Sequence, residues 1–209
     1  MVNSELIEKM FGALVREITK DLVTEEVDIF DRCDFGNYLS IWSSVETINE
    51  SIKQFSIRKD AKILDIGSGI GKFCLIGAML YPKIHFTGIE MSERRVLIAN
   101  RLKHALRLDN VTFVHADFCD VYKDYTKYKY VYFFNPFDMG VHEKIKKEQI
   151  NDEYDILNTF KEKLNTYLSS LSKGSKVYSN NPQQSYPKEF LIKINNYSED
   201  KNVQLLIKK

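Results

Sequence analysis

Four short stretches of this chain carry residue types that could do chemistry. They are Asp65-Ile66-Gly67-Ser68-Gly69-Ile70-Gly71-Lys72, Glu90-Met91, Asp117-Phe118 and Asn135-Pro136-Phe137. The first places glycine at every second position, directly after the apolar run Ile63, Leu64, Ile66. Such a run reads as a buried parallel strand, and the apolar stretch from Phe73 to Leu80 reads as a helix. A strand that turns through glycines onto a helix start suits an anion or a polar ligand. Glycine permits positive φ and close backbone approach, and the free N–H groups and dipole of the helix start face the ligand.

The glycine spacing narrows the ligand. A dinucleotide fold requires G-x-G-x-x-G, but Lys72 stands where the third glycine should be. A phosphate-binding Walker loop requires Gly-Lys-Ser/Thr, and Gly71-Lys72 is followed by Phe73. What stands is Asp65-x-Gly67-x-Gly69-x-Gly71. This pattern resembles the first motif of class I S-adenosylmethionine (AdoMet) methyltransferases.

The resemblance assigns roles to the other stretches. Asp65, Gly67, Ser68, Gly69 and Gly71 would form the cofactor turn. Glu90 ends a second strand (Ile84, Phe86, Gly88, Ile89). In a doubly wound sheet, ligands bind past the carboxyl ends of the strands at the switch point. An acid there can accept hydrogen bonds from both ribose hydroxyls, which matches the family's acidic second motif, and Met91 would lie against the adenine. Asp117 follows a third strand and would accept from the adenine amino group, with the Phe118 backbone N–H serving a ring nitrogen. His115 reads as a structural residue, not a base.

Asn135-Pro136-Phe137 closes a fourth, apolar strand, Tyr130 to Phe134, at the substrate end of the family's site. It is related to the Asn/Asp-Pro-Pro-Tyr/Phe ending of enzymes that methylate planar amino groups, but the second proline is missing. A shorter Asn-x-Phe-like ending is similar to that of the non-SET-domain histone-lysine methyltransferase group. By these resemblances Asn135 and Pro136 would orient an acceptor nitrogen, Asn135 would also touch the cofactor, and Phe137 would exclude water. Tyr38 and Trp42 precede the first strand and are candidate walls of the acceptor pocket.

The elements that must hold these residues are readable in outline. Leu6, Ile7, Met10, Phe11, Leu14, Val15, Ile18 and Leu22 recur at helical spacing behind Ser4, a suitable N-cap. A second helix carries Val45, Ile48, Ile52 and Phe55, capped by Ser43 or Ser44. Arg94 to Leu108 reads as a helix with a buried stripe of Val96, Leu97, Ala99, Leu102, Ala105 and Leu106. Tyr154 to Leu171 is another, ended by Gly174, and Lys176 to Ser179 is a fifth strand. Pro187 to Ile194 reads as a helix and Val203 to Ile207 as a sixth strand. The expected fold is therefore α/β: a doubly wound Rossmann-like sheet of six or seven strands with helices on both faces. Residues 1–60 would form a helical extension or lid, and residues 61–209 the AdoMet-dependent domain.

Composition sets the remaining bounds. The chain has 209 residues, 44% of them hydrophobic and 28% charged, with a net charge of +1. That balance argues against strong nonspecific attraction to nucleic acid, and no arginine follows Arg107. Cys33, Cys74 and Cys119 are too widely spaced for a zinc site and read as reduced thiols of a cytoplasmic protein. There is no signal peptide pattern, no membrane-length apolar run and no metal-ligand cluster. The sequence thus points to methylation, with AdoMet as cofactor. Its first acceptor is a protein side chain, lysine preferred, or a small amine. A nucleic-acid base is the second, and a non-catalytic AdoMet-binding scaffold is the third reading. It does not set the oligomeric state.

Overall fold

The computed structural model describes residues 3–20, 43–57, 60–134, 153–180, 186–198 and 201–209. Two helices come first, α1 (Ser4–Thr19) and α2 (Val45–Phe55). The sheet then alternates strand and helix: β1 (Lys62–Ile66), α3 (Lys72–Leu80), β2 (His85–Glu90), α4 (Glu93–Ala105), β3 (Val111–His115). A short α5 (Phe118–Val121) and a 3-10 turn (Tyr122–Tyr125) lead to β4 (Tyr130–Phe134). The chain ends with α6 (Glu153–Ser170), β5 (Lys176–Asn180), β6 (Phe190–Ser198) and β7 (Lys201–Lys208).

The sheet has seven strands in the order β3-β2-β1-β4-β5-β7-β6. The first five run parallel, and β7 enters antiparallel between β5 and β6. The order reverses between β1 and β4, which puts the switch point at the carboxyl end of β1. The seventh strand is β6, which occupies most of the stretch expected to be helical from Pro187 to Ile194. Its ladder with β7 slips between Ile192 and Ile194.

Alternate residues along the strands supply two apolar layers, as side-chain alternation requires. Ile63, Phe86, Val111, Tyr132 and Tyr178 face one way and pack under Phe11, Ile48, Phe55, Phe73 and Leu102, from α1, α2, α3 and α4. Leu64, Ile66, Ile89, Val131, Phe133 and Val177 face the other way, against α5 and α6. Helix α3 is buried nearly all round, which explains its continuous apolar sequence. The Phe73 and Tyr132 rings stack at 3.8 Å and 6°, and the Tyr132 hydroxyl hydrogen-bonds Ser43 just before α2.

Two local expectations are corrected and one open choice is settled. The N-cap of α1 is Asn3, whose side chain accepts from the Leu6 N–H, and Ser4 lies inside the helix. Ser44, not Ser43, caps α2. On α4, Leu97 is 45% exposed and Ala105 is exposed, while Ile98 takes the buried place, because this helix packs against α1 as well as the sheet. Among the described residues, no helix is long and apolar enough to cross a membrane.

Candidate active site

The glycine turn folds back on the end of β2. Gly67 and Ser68 both donate backbone N–H groups to the Ile89 carbonyl at 2.9 Å, and Gly71 donates to the Ser68 carbonyl at 2.8 Å. Gly67, Gly69 and Gly71 have φ of 72°, 56° and 84°. Opposite the turn, Gly88 is required by contact: a Cβ there would lie 2.6 Å from Ser68 Oγ and 2.7 Å from Ser68 Cβ. So the β-strand beside the turn must lack a side chain for the turn to seat.

Glu90 lies beneath this turn, 5% exposed. Its Oε2 accepts from the Gly69 N–H at 2.8 Å, and its Oε1 accepts from the Ser92 N–H at 3.0 Å. The Arg95 guanidinium stands 3.7 Å from Oε1. Two backbone donors and one ion pair thus hold the carboxylate at the carboxyl end of β2, next to the switch point. Asp117 caps α5, accepting from the Cys119 N–H at 2.8 Å. Ala116 donates to the Glu90 carbonyl at 3.0 Å, and His115 Nε2 lies 3.1 Å from the Met91 carbonyl. These bonds tie the tails of β2 and β3 together, and His115 has the structural place expected of it. Met91 is half-buried and Phe118 is buried.

Asp65 is 3% exposed and accepts a hydrogen bond from Cys74 Sγ at 3.6 Å. Burial pushes its carboxyl up to about 8, the nearby Glu90 adds to the rise, and the Cys74 bond opposes it. The folded state therefore binds a proton that the unfolded state has already lost above its ordinary pKa. The expected outcome is a stability that falls as pH rises from about 4 to about 8. Asp65→Asn is expected to flatten that slope, checked by urea unfolding at stepped pH. Parallel slopes for the two proteins would refute it.

A further node was not visible in the sequence. Lys72, the first residue of α3, is 5% exposed and forms an ion pair with Glu8 of α1. The other oxygen of Glu8 accepts from the Val45 N–H at the start of α2 at 3.0 Å. One carboxylate thus joins the N-terminal helices to the residue next to Gly71. Periodicity marks Glu8 only as a polar residue of an amphipathic helix. The one available signal was a lysine following the glycine turn, where a cation opposes the helix dipole and requires an anion. Arg95 and Cys74, the partners of Glu90 and Asp65, carried no signal. Tyr38, Trp42, Asn135, Pro136 and Phe137 lie outside the described residues, as does Cys33.

The arrangement fits a nucleoside-bearing cofactor on three observations. An ideal Cβ on Gly69 meets nothing within 4 Å, so the turn's backbone borders open space. The Glu90 carboxylate is held directly against that turn. Ser68 Oγ is buried and has no hydrogen-bond partner, a state that costs stability unless a ligand completes it. Gly69→Ala is expected to cost about 1 kcal/mol, from its positive φ alone. Its methyl group would enter the open space and weaken cofactor binding more than stability. Urea unfolding and calorimetric titration, run side by side, check both parts.

Comparison with known proteins decides the family. A family model described as a methyltransferase domain matches residues 57–203. The chain belongs to the methyltransferase-domain family. It has the expected Rossmann-like fold. The ribosomal RNA small subunit methyltransferase G of Thermoanaerobacter sp. is 26% identical over 157 residues, 74% of this chain and 58% of that protein. The tRNA (guanine-N(7)-)-methyltransferase of Pediococcus pentosaceus is 30% identical over 140 residues, 64% of this chain and 60% of that protein. The chain therefore spans less than two thirds of the length of these relatives. Its fold is similar to that of TrmN from Thermus thermophilus, with a TM-score of 0.64, 16% identity, and coverage of 80% of this chain and 49% of that one. It is also similar to an RNA methyltransferase from Salinibacter ruber solved with S-adenosyl-L-homocysteine, with a TM-score of 0.56, 17% identity, and coverage of 81% and 95%.

Proposed function

We propose that this methyltransferase transfers its methyl group to a base of a structured RNA, a ribosomal or transfer RNA. The observation that carries the reading is the pair of sequence relatives that act on ribosomal RNA and tRNA guanine. It reverses the order of acceptors drawn from the residues alone, where a protein lysine or small amine stood first.

In this reading Glu90 takes the ribose hydroxyls, and the backbone of Gly67, Ser68, Gly69 and Gly71 lines the methionine and ribose side. Met91, Asp117 and Phe118 take the adenine. Asp65 sits buried near the end of β1, just before the turn. Asn135, Pro136 and Phe137 follow β4 and would hold the base, with Tyr38 and Trp42 as further walls. Bound AdoMet supplies a methyl group activated on a sulfonium. The chain's own task is to align the acceptor and exclude water.

The acceptor atom we favour is a ring nitrogen. A ring nitrogen that bears no hydrogen offers its lone pair without loss of a proton, so no general base is needed. An exocyclic amino group would call for the full Asn-Pro-Pro-aromatic ending, and this chain lacks the second proline. The test is transfer of tritiated methyl from AdoMet to unmodified ribosomal and transfer RNA transcripts, with histone and bulk protein as rival acceptors. Label that enters RNA and is released by ribonuclease is the expected result. Label confined to protein would overturn the reading and restore lysine.

A further inference from the structure

Resting on the RNA reading above, we infer that the sheet edge opposite the glycine turn is a docking surface for the phosphate backbone of that RNA. The parallel strands all begin at this edge, and the antiparallel β7 ends there. Taken in sheet order, a cation stands at the mouth of every strand. Arg107 precedes β3, Lys83 precedes β2, Lys62 opens β1, Lys129 precedes β4, Lys176 opens β5, Lys208 closes β7 and Lys188 precedes β6. Lys127 and Lys173 lie in the same turns, Lys103 in the last turn of α4 and Lys209 just after β7. Against them stand Asp60, Asp109 and Glu189.

This segregation is not the chain's average, which has 30 Lys and Arg against 29 Asp and Glu. Nor does structure consume most of it. Lys176 Nζ donates to the Phe55 carbonyl at 2.7 Å, and Lys208 Nζ to the Ser169 carbonyl at 2.6 Å, so these two cap helices α2 and α6. Lys62, Lys83, Lys127, Lys129 and Lys173 are exposed. His85, paired in register with Lys62, is held below the ordinary imidazole range by burial and then by Lys62 and Lys103.

Seven strands at the usual spacing of about 4.8 Å make this ribbon of charge about 29 Å long. A run of that length fits a nucleic-acid backbone. The predominance of lysine over arginine suits phosphate attraction without base reading. Strands of five or six residues put the ribbon roughly 16–20 Å from the glycine turn. A free nucleoside cannot meet both ends, so the edge would favour an RNA chain over free nucleosides.

The test compares the wild-type protein with the fourfold variant Lys62→Gln, Lys83→Gln, Lys127→Gln, Lys129→Gln, which spares the two capping lysines. Affinity for the unmodified ribosomal and transfer RNA transcripts is measured across a salt series. The expected result is a loss of about ten- to a hundredfold at low salt. The slope against log salt should be shallower by about one for each contact removed, with AdoMet affinity unchanged. Unchanged RNA affinity and slope overturn the proposal, including the case where binding to polyglutamate falls instead. If wild type methylates the transcripts while the variant binds them equally, the docking edge fails alone. If wild type transfers no methyl to RNA, the RNA reading fails and takes the edge with it.

Discussion

Glu90→Ala is expected to weaken AdoMet binding by a hundredfold or more, about 3 kcal/mol. Two effects add. In the proposed site the side chain would supply the acceptor for the ribose, and it also anchors the turn through the Gly69 N–H and the Ser92 N–H. Removing it leaves donors at a buried site without their acceptor, a cost greater than the net worth of the bonds themselves. Arg95 loses its carboxylate at the same time. Glu90→Gln keeps the shape and one acceptor oxygen, so an intermediate loss is expected. Calorimetric titration of AdoMet measures both, with circular dichroism to show that the variants are folded. A folded Glu90→Ala protein that binds AdoMet like wild type would remove Glu90 from the site.

The second large effect concerns the node between the N-terminal helices and the turn. Lys72 is a buried cation at the start of a helix, against the dipole, and Glu8 offsets both costs. Glu8→Gln is expected to destabilise the protein by about 2 kcal/mol. That is below the roughly 3–5 kcal/mol of a fully buried pair, because Glu8 is 27% exposed. Lys72→Met should cost less, since it leaves a carboxylate that still accepts from the Val45 N–H at the start of α2. The double variant should recover to within about 1 kcal/mol of wild type, since neither charge is then left desolvated without its partner. Urea unfolding of the four proteins closes the cycle, and simple additivity of the two single effects would show that the pair is not coupled.

How legible all this was depended on range. The glycine turn, β1, β2 and the position of Glu90 were legible because each is set by residues within one strand-turn-helix unit. The helix over Pro187 to Ile194 was misread for a local reason. The ladder slips between Ile192 and Ile194, and the slip breaks the alternation that marks a strand, leaving Phe190 and Ile194 at helical spacing. Leu97 was assigned to the buried stripe because periodicity does not show that α1 packs on α4. The Glu8–Lys72 pair joins residues 64 apart, and no local pattern encodes a contact at that distance. The acceptor was illegible on the same ground: no local pattern states which molecule carries the accepting atom, and the surface charge on which the proposed RNA docking rests has no local pattern either. That charge is balanced in the composition and segregates only when the strands are aligned.

The order of strands also bears on how the chain is made. β6 is synthesised before β7, yet it touches the sheet only through β7, which pairs with β5 on its other side. Until β7 has emerged, β6 has no ladder to join and β5 ends in an open row of backbone donors and acceptors. Leu191 and Ile192, still 46% and 48% exposed after folding, are then carried on a strand with no neighbour. That interval is the one in which a nascent chain is most open to pairing with another copy of itself. Lys193, placed at the slip in the ladder, is the kind of charged residue that discourages such pairing.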